Sequence, residues 1–177
     1  MKKLSLLLLM IVTYSCNNPS AEKKSQETEN AGSQTVSKEE INKVLEDWHA
    51  AAAQANFEEY FGLMSGDGIF IGTDATENWQ NKEFREFAKP YFDKGKAWSF
   101  TTLERNIYAS QNGETAWFDE LLNTQMGICR GSGVLEKTQN ALKIKHYMLS
   151  IAIPNENVDE ITQIKKEFDS TLVSKIQ

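Results

Sequence analysis

The sequence predicts an α+β fold, with helices first and an antiparallel sheet after them. Three observations carry this. Apolar residues recur at helical spacing through the first half of the folded region. The second half breaks into β-type runs rich in Val, Ile, Thr, Tyr, Phe and Trp. Polar turn signals separate those runs at hairpin spacing. Segregated helices and strands in this order define α+β, because each layer must bury its apolar face on the other.

The elements follow in order. Ser37-Lys38-Glu39-Glu40 is an S-x-x-E capping box, and Ile41, Val44, Leu45, Trp48 and Ala52 repeat behind it, so a helix is expected over 38–54. Asn56 caps a second short helix with Phe57, Tyr60, Phe61 and Met64 on its inner face, broken by Gly66-Asp67-Gly68. Ile69-Phe70-Ile71 is a short β run, and 72–80 a loop carrying Asp74, Glu77 and Trp79. A third helix over 81–93 buries Phe84, Phe87, Ala88 and Tyr91. Strands are expected at 98–110, 115–126, 131–137 and 141–153, the last stopped by Pro154. Gln111-Asn112-Gly113 and Thr138-Gln139-Asn140 make two of the turns. Val158, Ile161, Ile164 or Lys165, Phe168 and Leu172 then give an amphipathic terminal helix.

The first residues are of another kind. Lys2-Lys3 precede a short apolar run, Leu4 to Val12, which is the layout of a secretory signal. A membrane-spanning helix needs about 20 apolar residues, and this run is roughly half that. The run ends Thr13-Tyr14-Ser15-Cys16, and a Cys after small residues resembles the lipobox of bacterial lipoproteins. That resemblance implies cleavage after residue 15 and acylation of Cys16, with Tyr14 departing from the tighter form of the motif. A plain secretory signal with an incidental Cys16 is the alternative. Residues 16–36 then read as a polar tether, too poor in apolar groups to offset its ordering entropy, spanning about 25 Å as a coil. The expected divisions are thus 1–15 signal, 16–36 lipidated Cys and tether, 37–155 folded domain and 156–177 terminal helix. The expected location is the cell envelope, lipid-anchored and facing the periplasm or cell exterior. With Cys16 acylated, no intrachain disulfide is possible, and Cys129 reads as a small apolar filler, the alternatives being a reactive thiol or an intermolecular bridge.

The net charge is −6, and removal of Lys2 and Lys3 with the signal takes it to −8. An acidic chain lacks the basic stripe that nucleic acid requires. His49 and His146 are the only histidines, and zinc-ligand spacing is missing. Gly131-Ser132-Gly133 is too short for a nucleotide loop and suits close backbone packing within a strand. There is no G-x-S-x-G nucleophile elbow. Neither metal nor cofactor is expected.

Several motifs, in order, carry a family resemblance: Trp48-His49-Ala50-Ala51, Phe70-Ile71-Gly72-Thr73-Asp74, Glu77-x-Trp79, Ala116-Trp117-Phe118-Asp119-Glu120, Arg130-Gly131-Ser132-Gly133-Val134-Leu135 and Ile153-Pro154-Asn155. Together, from about 40 to 155, they resemble the SnoaL-like branch of the nuclear transport factor 2-like superfamily. The resemblance implies a cone: three N-terminal helices against a curved antiparallel sheet, with a pocket inside and homodimerisation through the outer sheet face. The helix after Asn155 extends past the family pattern, free to cap the cone or cover a partner. The superfamily holds ketosteroid isomerase, polyketide cyclases, dehydratases, pockets without known chemistry and assembly modules, so fold alone does not decide function.

The candidate chemistry sits on two strands. Strict alternation would put His146 on the concave face with Leu142, Ile144 and Met148, as a general acid or base or as a satisfied core histidine. Asp119 and Glu120 point to opposite faces, so only one can line the pocket. That one is either a base raised by desolvation or a carboxylate paired with Arg105 or Arg130. Trp48, Tyr60, Phe70, Trp79, Trp98 and Trp117, with Arg130, are candidates for lining an apolar small-molecule site. The leading expectation is a lipoprotein that binds a small apolar or carbonyl-containing molecule. The alternatives are an acid–base enzyme using Asp119 or Glu120 with His146, and a dimerising assembly module.

Overall fold

Six strands form one curved, unclosed sheet in the order β2-β1-β6-β5-β4-β3, with three helices on its concave side. The computed structural model describes residues 36–139 and 141–177. The expected signal, Cys16 and nearly all of the tether lie outside the described residues. Val36 does not behave as tether, being 8% exposed in the core. Among the described residues, no helix is long and apolar enough to cross a membrane.

Helix α1 spans Lys38–Ala53 and begins with the expected capping box: the Glu40 amide donates to Ser37 Oγ at 3.1 Å, and the Ser37 amide to Glu40 Oε2 at 2.9 Å. Its buried face is Ile41, Leu45, Trp48, His49 and Ala52. Helix α2, Phe57–Gly62, is capped by Asn56. Strand β1, Met64–Ile71, starts earlier than expected, so Met64 belongs to the sheet and not to α2. The stretch expected as loop holds a short strand, β2 (Asn78–Gln80), paired with the end of β1. Helix α3 is Asn81–Asp93.

Strands β3 (Thr101–Ala109), β4 (Thr115–Thr124), β5 (Gly127–Lys137) and β6 (Leu142–Ile151) make the antiparallel part. The exception to antiparallel pairing is β1, which runs parallel to β6. A short 3-10 turn leads into α4, Val158–Ile176, in which no residue is buried.

One irregularity sets which side chains face inward. β5 and β6 pair Leu135 with Ile144 but Val134 with His146, so Lys145 is an extra, unpaired residue on β6. A one-residue bulge reverses the faces of everything beyond it. Ile144 points in, His146 points out, and Tyr147 takes the inward position with 0% exposure. Opposite it, a Cβ on Gly131 would stand 2.3 Å from the Tyr147 hydroxyl, and one on Gly133 2.8 Å from the Phe118 ring. The Gly131-Ser132-Gly133 run therefore makes room on the concave face for two large rings.

Candidate functional site

The concave face holds two neighbouring features, a buried polar cluster and an aromatic cavity. The cluster is centred on Glu120 of β4, whose alternation with Phe118 and Leu122 turns it inward, where it is 0% exposed. His49 of α1 donates from Nε2 to Glu120 Oε1 at 2.9 Å, and the Tyr147 hydroxyl donates to the same oxygen at 3.1 Å. Arg105 of β3 donates from Nε to Oε2 at 2.9 Å. Its remaining nitrogens reach Asn42 Oδ1 at 3.2 Å and Thr102 Oγ1 at 3.1 Å. An ionised carboxylate only accepts, so His49 carries its proton on Nε2.

Burial is the largest single influence on the Glu120 carboxyl and pushes its pKa up. The hydrogen bond and charge of His49, then the charge and hydrogen bond of Arg105, together outweigh it and hold the group below the ordinary carboxylate value. Burial, followed by the Glu120 charge and hydrogen bond, raises Tyr147 well above an ordinary phenol. The cluster at neutral pH is thus an anion held by three donors. The Tyr147 phenol keeps its proton and donates a hydrogen bond to the carboxylate.

The cavity has a volume of about 220 Å³. β1 and β2 contribute Phe70 and Trp79, and α3 contributes Phe84, Phe87 and Tyr91. Trp98 and Phe100, from the segment between α3 and β3, close another side, with Leu149 of β6 behind. The rings are ordered by mutual stacking: Phe70 on Phe84 at 4.0 Å, Trp79 on Phe87 at 4.5 Å and Phe84 on Trp98 at 5.8 Å. Such offset contacts contribute about 0.5–1.5 kcal/mol each beyond burial. The polar groups are few: Thr73 and Glu77 from the β1–β2 loop and Gln125 from the β4–β5 turn. Phe87, Tyr91 and Met126 are exposed and form the mouth.

Phe100 belongs to both features. It lines the cavity and sets its edge against His49, ring centroids 5.7 Å apart. One ring therefore stands between the cavity and the His49–Glu120 pair. A second hollow, about 570 Å³, lies between α4 and the outer face of β6, walled by Met148, Ser150, Ile164 and Phe168. The β1–β2 loop residues Gly72, Thr73 and Glu77 border both hollows.

The structure sorts the candidate residues into four groups, with Glu120 alone in the buried polar cluster. Phe70, Trp79 and Trp98 line the cavity. Trp48 and Tyr60 stack on each other in the core at 4.8 Å, both essentially unexposed, and do not reach the cavity. Among the described residues, Trp48 Nε1 and the Tyr60 hydroxyl have no hydrogen-bond partner within ordinary geometry. Burial raises Tyr60 well above an ordinary phenol, and the Trp98 indole beside it offsets part of this. Trp117, Asp119, Arg130 and His146 all face outward. Trp117 is 47% exposed and stacks on Tyr108. Asp119 sits 3.7 Å from Arg130. Of the carboxylate pair, Glu120 is the inward one and its cationic partner is Arg105. The bulge at Lys145 is the physical reason that His146 misses the concave face.

His49 and Tyr147 are the site residues that sequence reasoning passed over. His49 follows Leu45 by four positions on the buried face of α1, so helical spacing alone was a signal for it. Tyr147 carried no such signal, since only the bulge turns it inward.

The family profile of the SnoaL-like domain matches residues 41–154, and the chain belongs to that family. Solved structures of nuclear transport factor 2-like proteins share its fold. One, of unknown function from Pseudomonas putida, is 12% identical with a TM-score of 0.57, over 67% of this chain and 89% of the other. One from Cytophaga hutchinsonii is 13% identical with a TM-score of 0.55, over 66% of this chain and all of the other. One from Rhodospirillum rubrum, of unknown function in nutrient uptake, is 16% identical with a TM-score of 0.54, over 64% and 98%. Identities this low speak for the fold alone. No curated protein sequence matches the chain significantly. Helix α4 lies beyond the residues that the family profile covers.

Proposed function

We propose that this chain is an envelope lipoprotein, acylated at Cys16, whose aromatic cavity binds a small apolar or carbonyl-containing molecule. The observation that carries the binding reading is an open cavity of about 220 Å³ walled largely by seven aromatic rings, with Leu149, Met126 and a few polar groups completing its lining. Small-molecule sites have this composition. The volume exceeds the roughly 150 Å³ void that holds benzene in an engineered core. It falls short of the about 300–1,000 Å³ of drug-sized sites. A ligand of one or two rings fits, with its carbonyl or hydroxyl toward Gln125 or Thr73.

Native mass spectrometry of the purified protein tests this first, through a co-purified species of that size. A tryptophan-fluorescence titration with small aromatic ketones tests it second, because Trp79 and Trp98 line the walls. Trp79→Ala is expected to weaken binding about tenfold, or about 1.4 kcal/mol. The reading fails if nothing co-purifies and no probe changes the fluorescence up to millimolar concentration.

A second reading, an acid–base enzyme, is favoured by the His49–Glu120 contact of 2.9 Å one ring behind the cavity. The carboxylate's partner there is His49 in place of His146. A carboxyl held below its ordinary pKa is a weak base, so His49 would be the group that exchanges protons. His49→Gln should abolish turnover of a carbonyl substrate while sparing its binding; equal loss of both would leave the pair a purely structural role.

A further inference from the structure

The aromatic cavity carries one formal charge on its walls, and that charge is negative. Glu77 is the one carboxylate among the described residues that line it, and no lysine, arginine or histidine stands there. The side chain is half-buried, just before β2. Its Oε2 accepts from the Asp74 amide at 3.2 Å and packs against Gly72, where a Cβ would overlap it. Among the described residues, Oε1 has no hydrogen-bond partner and the carboxylate makes no ion pair. A carboxylate drawn partly out of water is costly to leave unpaired. The neighbouring rings build the same field. The face of an aromatic ring is its negative side, and a cation above it is attracted, more strongly as water leaves. Trp79 and Phe87 stand 4.5 Å apart and Phe87 and Tyr91 5.5 Å apart, centroid to centroid, so three rings share the wall with Glu77. Elsewhere the chain seats its own cations on rings, the Arg85 guanidinium lying 4.8 Å from the centre of Phe57. Among the described residues, no such cation lies over Trp79, Phe87 or Tyr91.

We infer that the occupant of the cavity carries a positive charge: a small organic ammonium ion, its head between Glu77 and the rings of Trp79, Phe87 and Tyr91. This rests on the cavity being a small-molecule site and narrows its ligand to one class. The apolar body of the ion lies against the inner rings, and a carbonyl on it keeps its place by Gln125 or Thr73. An anion would meet a carboxylate and negative ring faces with no counter-charge on the walls. The net charge of −6 favours the same choice, drawing cations toward the chain and turning anions away. Phe87 and Tyr91 are exposed, so an ammonium head at the mouth keeps part of its hydration and loses little on entry. The second hollow suits a cation less, because Lys165 is one of its walls. Size agrees as well. Choline is little larger than benzene, which occupies a void of roughly 150 Å³ in an engineered core, against about 220 Å³ here.

Tryptophan fluorescence of the full-length protein in an alkyl maltoside detergent, at constant ionic strength, reads the result, since Trp79 lines the site. Two probes are titrated: choline, and its neutral carbon analogue with a tert-butyl group in place of trimethylammonium. Choline is expected to bind about tenfold more tightly than the analogue. Glu77→Gln should remove most of that difference while leaving the analogue's affinity unchanged. The amide keeps an oxygen for the Asp74 N–H, so the melting temperature should stay close to wild type. Phe87→Leu keeps apolar bulk without the ring. It should weaken choline about threefold or more and leave the analogue within about twofold. Equal or reversed affinity for the two probes would overturn the inference, and so would a preference for choline that persists undiminished in Glu77→Gln. If a small aromatic ketone binds in either case, the small-molecule reading stands without the cation. If choline, the analogue and the ketone all fail to bind, both readings fall.

Discussion

Glu120 shows how a single buried group links fold to pH response. It is unexposed and held by three donors from three elements, His49 on α1, Arg105 on β3 and Tyr147 on β6. Removing one partner of a buried ion pair costs about 3–5 kcal/mol, because the other charge is left unpaired. Glu120→Ala should therefore destabilise the protein by about that amount in urea denaturation, and Glu120→Gln by less, since it retains hydrogen bonding. Folding lowers the carboxyl's pKa, so the unfolded chain takes up the proton more readily. The stabilisation is complete above the unfolded value of about 4.3 and drains away as the pH falls through the lower folded value. Urea midpoints measured from pH 7 to pH 2 should drop below about pH 4.3 in the wild type, and less steeply in Glu120→Gln. Parallel slopes would show that Glu120 is not the group responsible. Sequence reading could place Asp119 and Glu120 on opposite faces, because strand alternation fixes their relation. It could not say which faced inward, because that depends on how β4 docks.

At the scale of elements, the helices were the legible part. Capping residues and apolar spacing at Ser37 and Ile41 brought α1 within a residue of its observed end, and α3 matched at both ends. Strand order and faces were less so. The bulge at Lys145 leaves no mark in composition, yet it exchanges His146 for Tyr147 on the concave face. Parallel pairing of β1 with β6 is equally silent, because it joins segments distant in the chain. The glycines opposite the bulge are the element's other half. Gly131→Ala places a methyl where the Tyr147 hydroxyl lies, so it should cost about 1–3 kcal/mol through overpacking and break the Tyr147–Glu120 hydrogen bond. Gly131→Ala combined with Tyr147→Phe should recover part of that loss. A neutral Gly131→Ala in thermal melts would mean that the strand yields at little cost.

For the whole molecule, the question is where the domain sits. The proposed acylation at Cys16 would anchor the chain stably only with more than one acyl chain. Cys16→Ser is expected to abolish acylation and to leave the signal uncleaved by the lipoprotein peptidase, both read by intact mass. A wild-type mass without acyl chains would remove the anchor from the account.

The parallel join of β1 to β6 also bears on how the chain is made. Its contacts cross a long interval, Asp67 reaching Lys145 78 positions on, and elsewhere His49 waits 71 positions for Glu120. Neither half of the sheet can complete its core before β6 has left the ribosome. Distant pairings of this kind are slow to form. The parallel pairing of β1 with β6 is therefore expected to form late in refolding, after the antiparallel hairpins of β3 to β6.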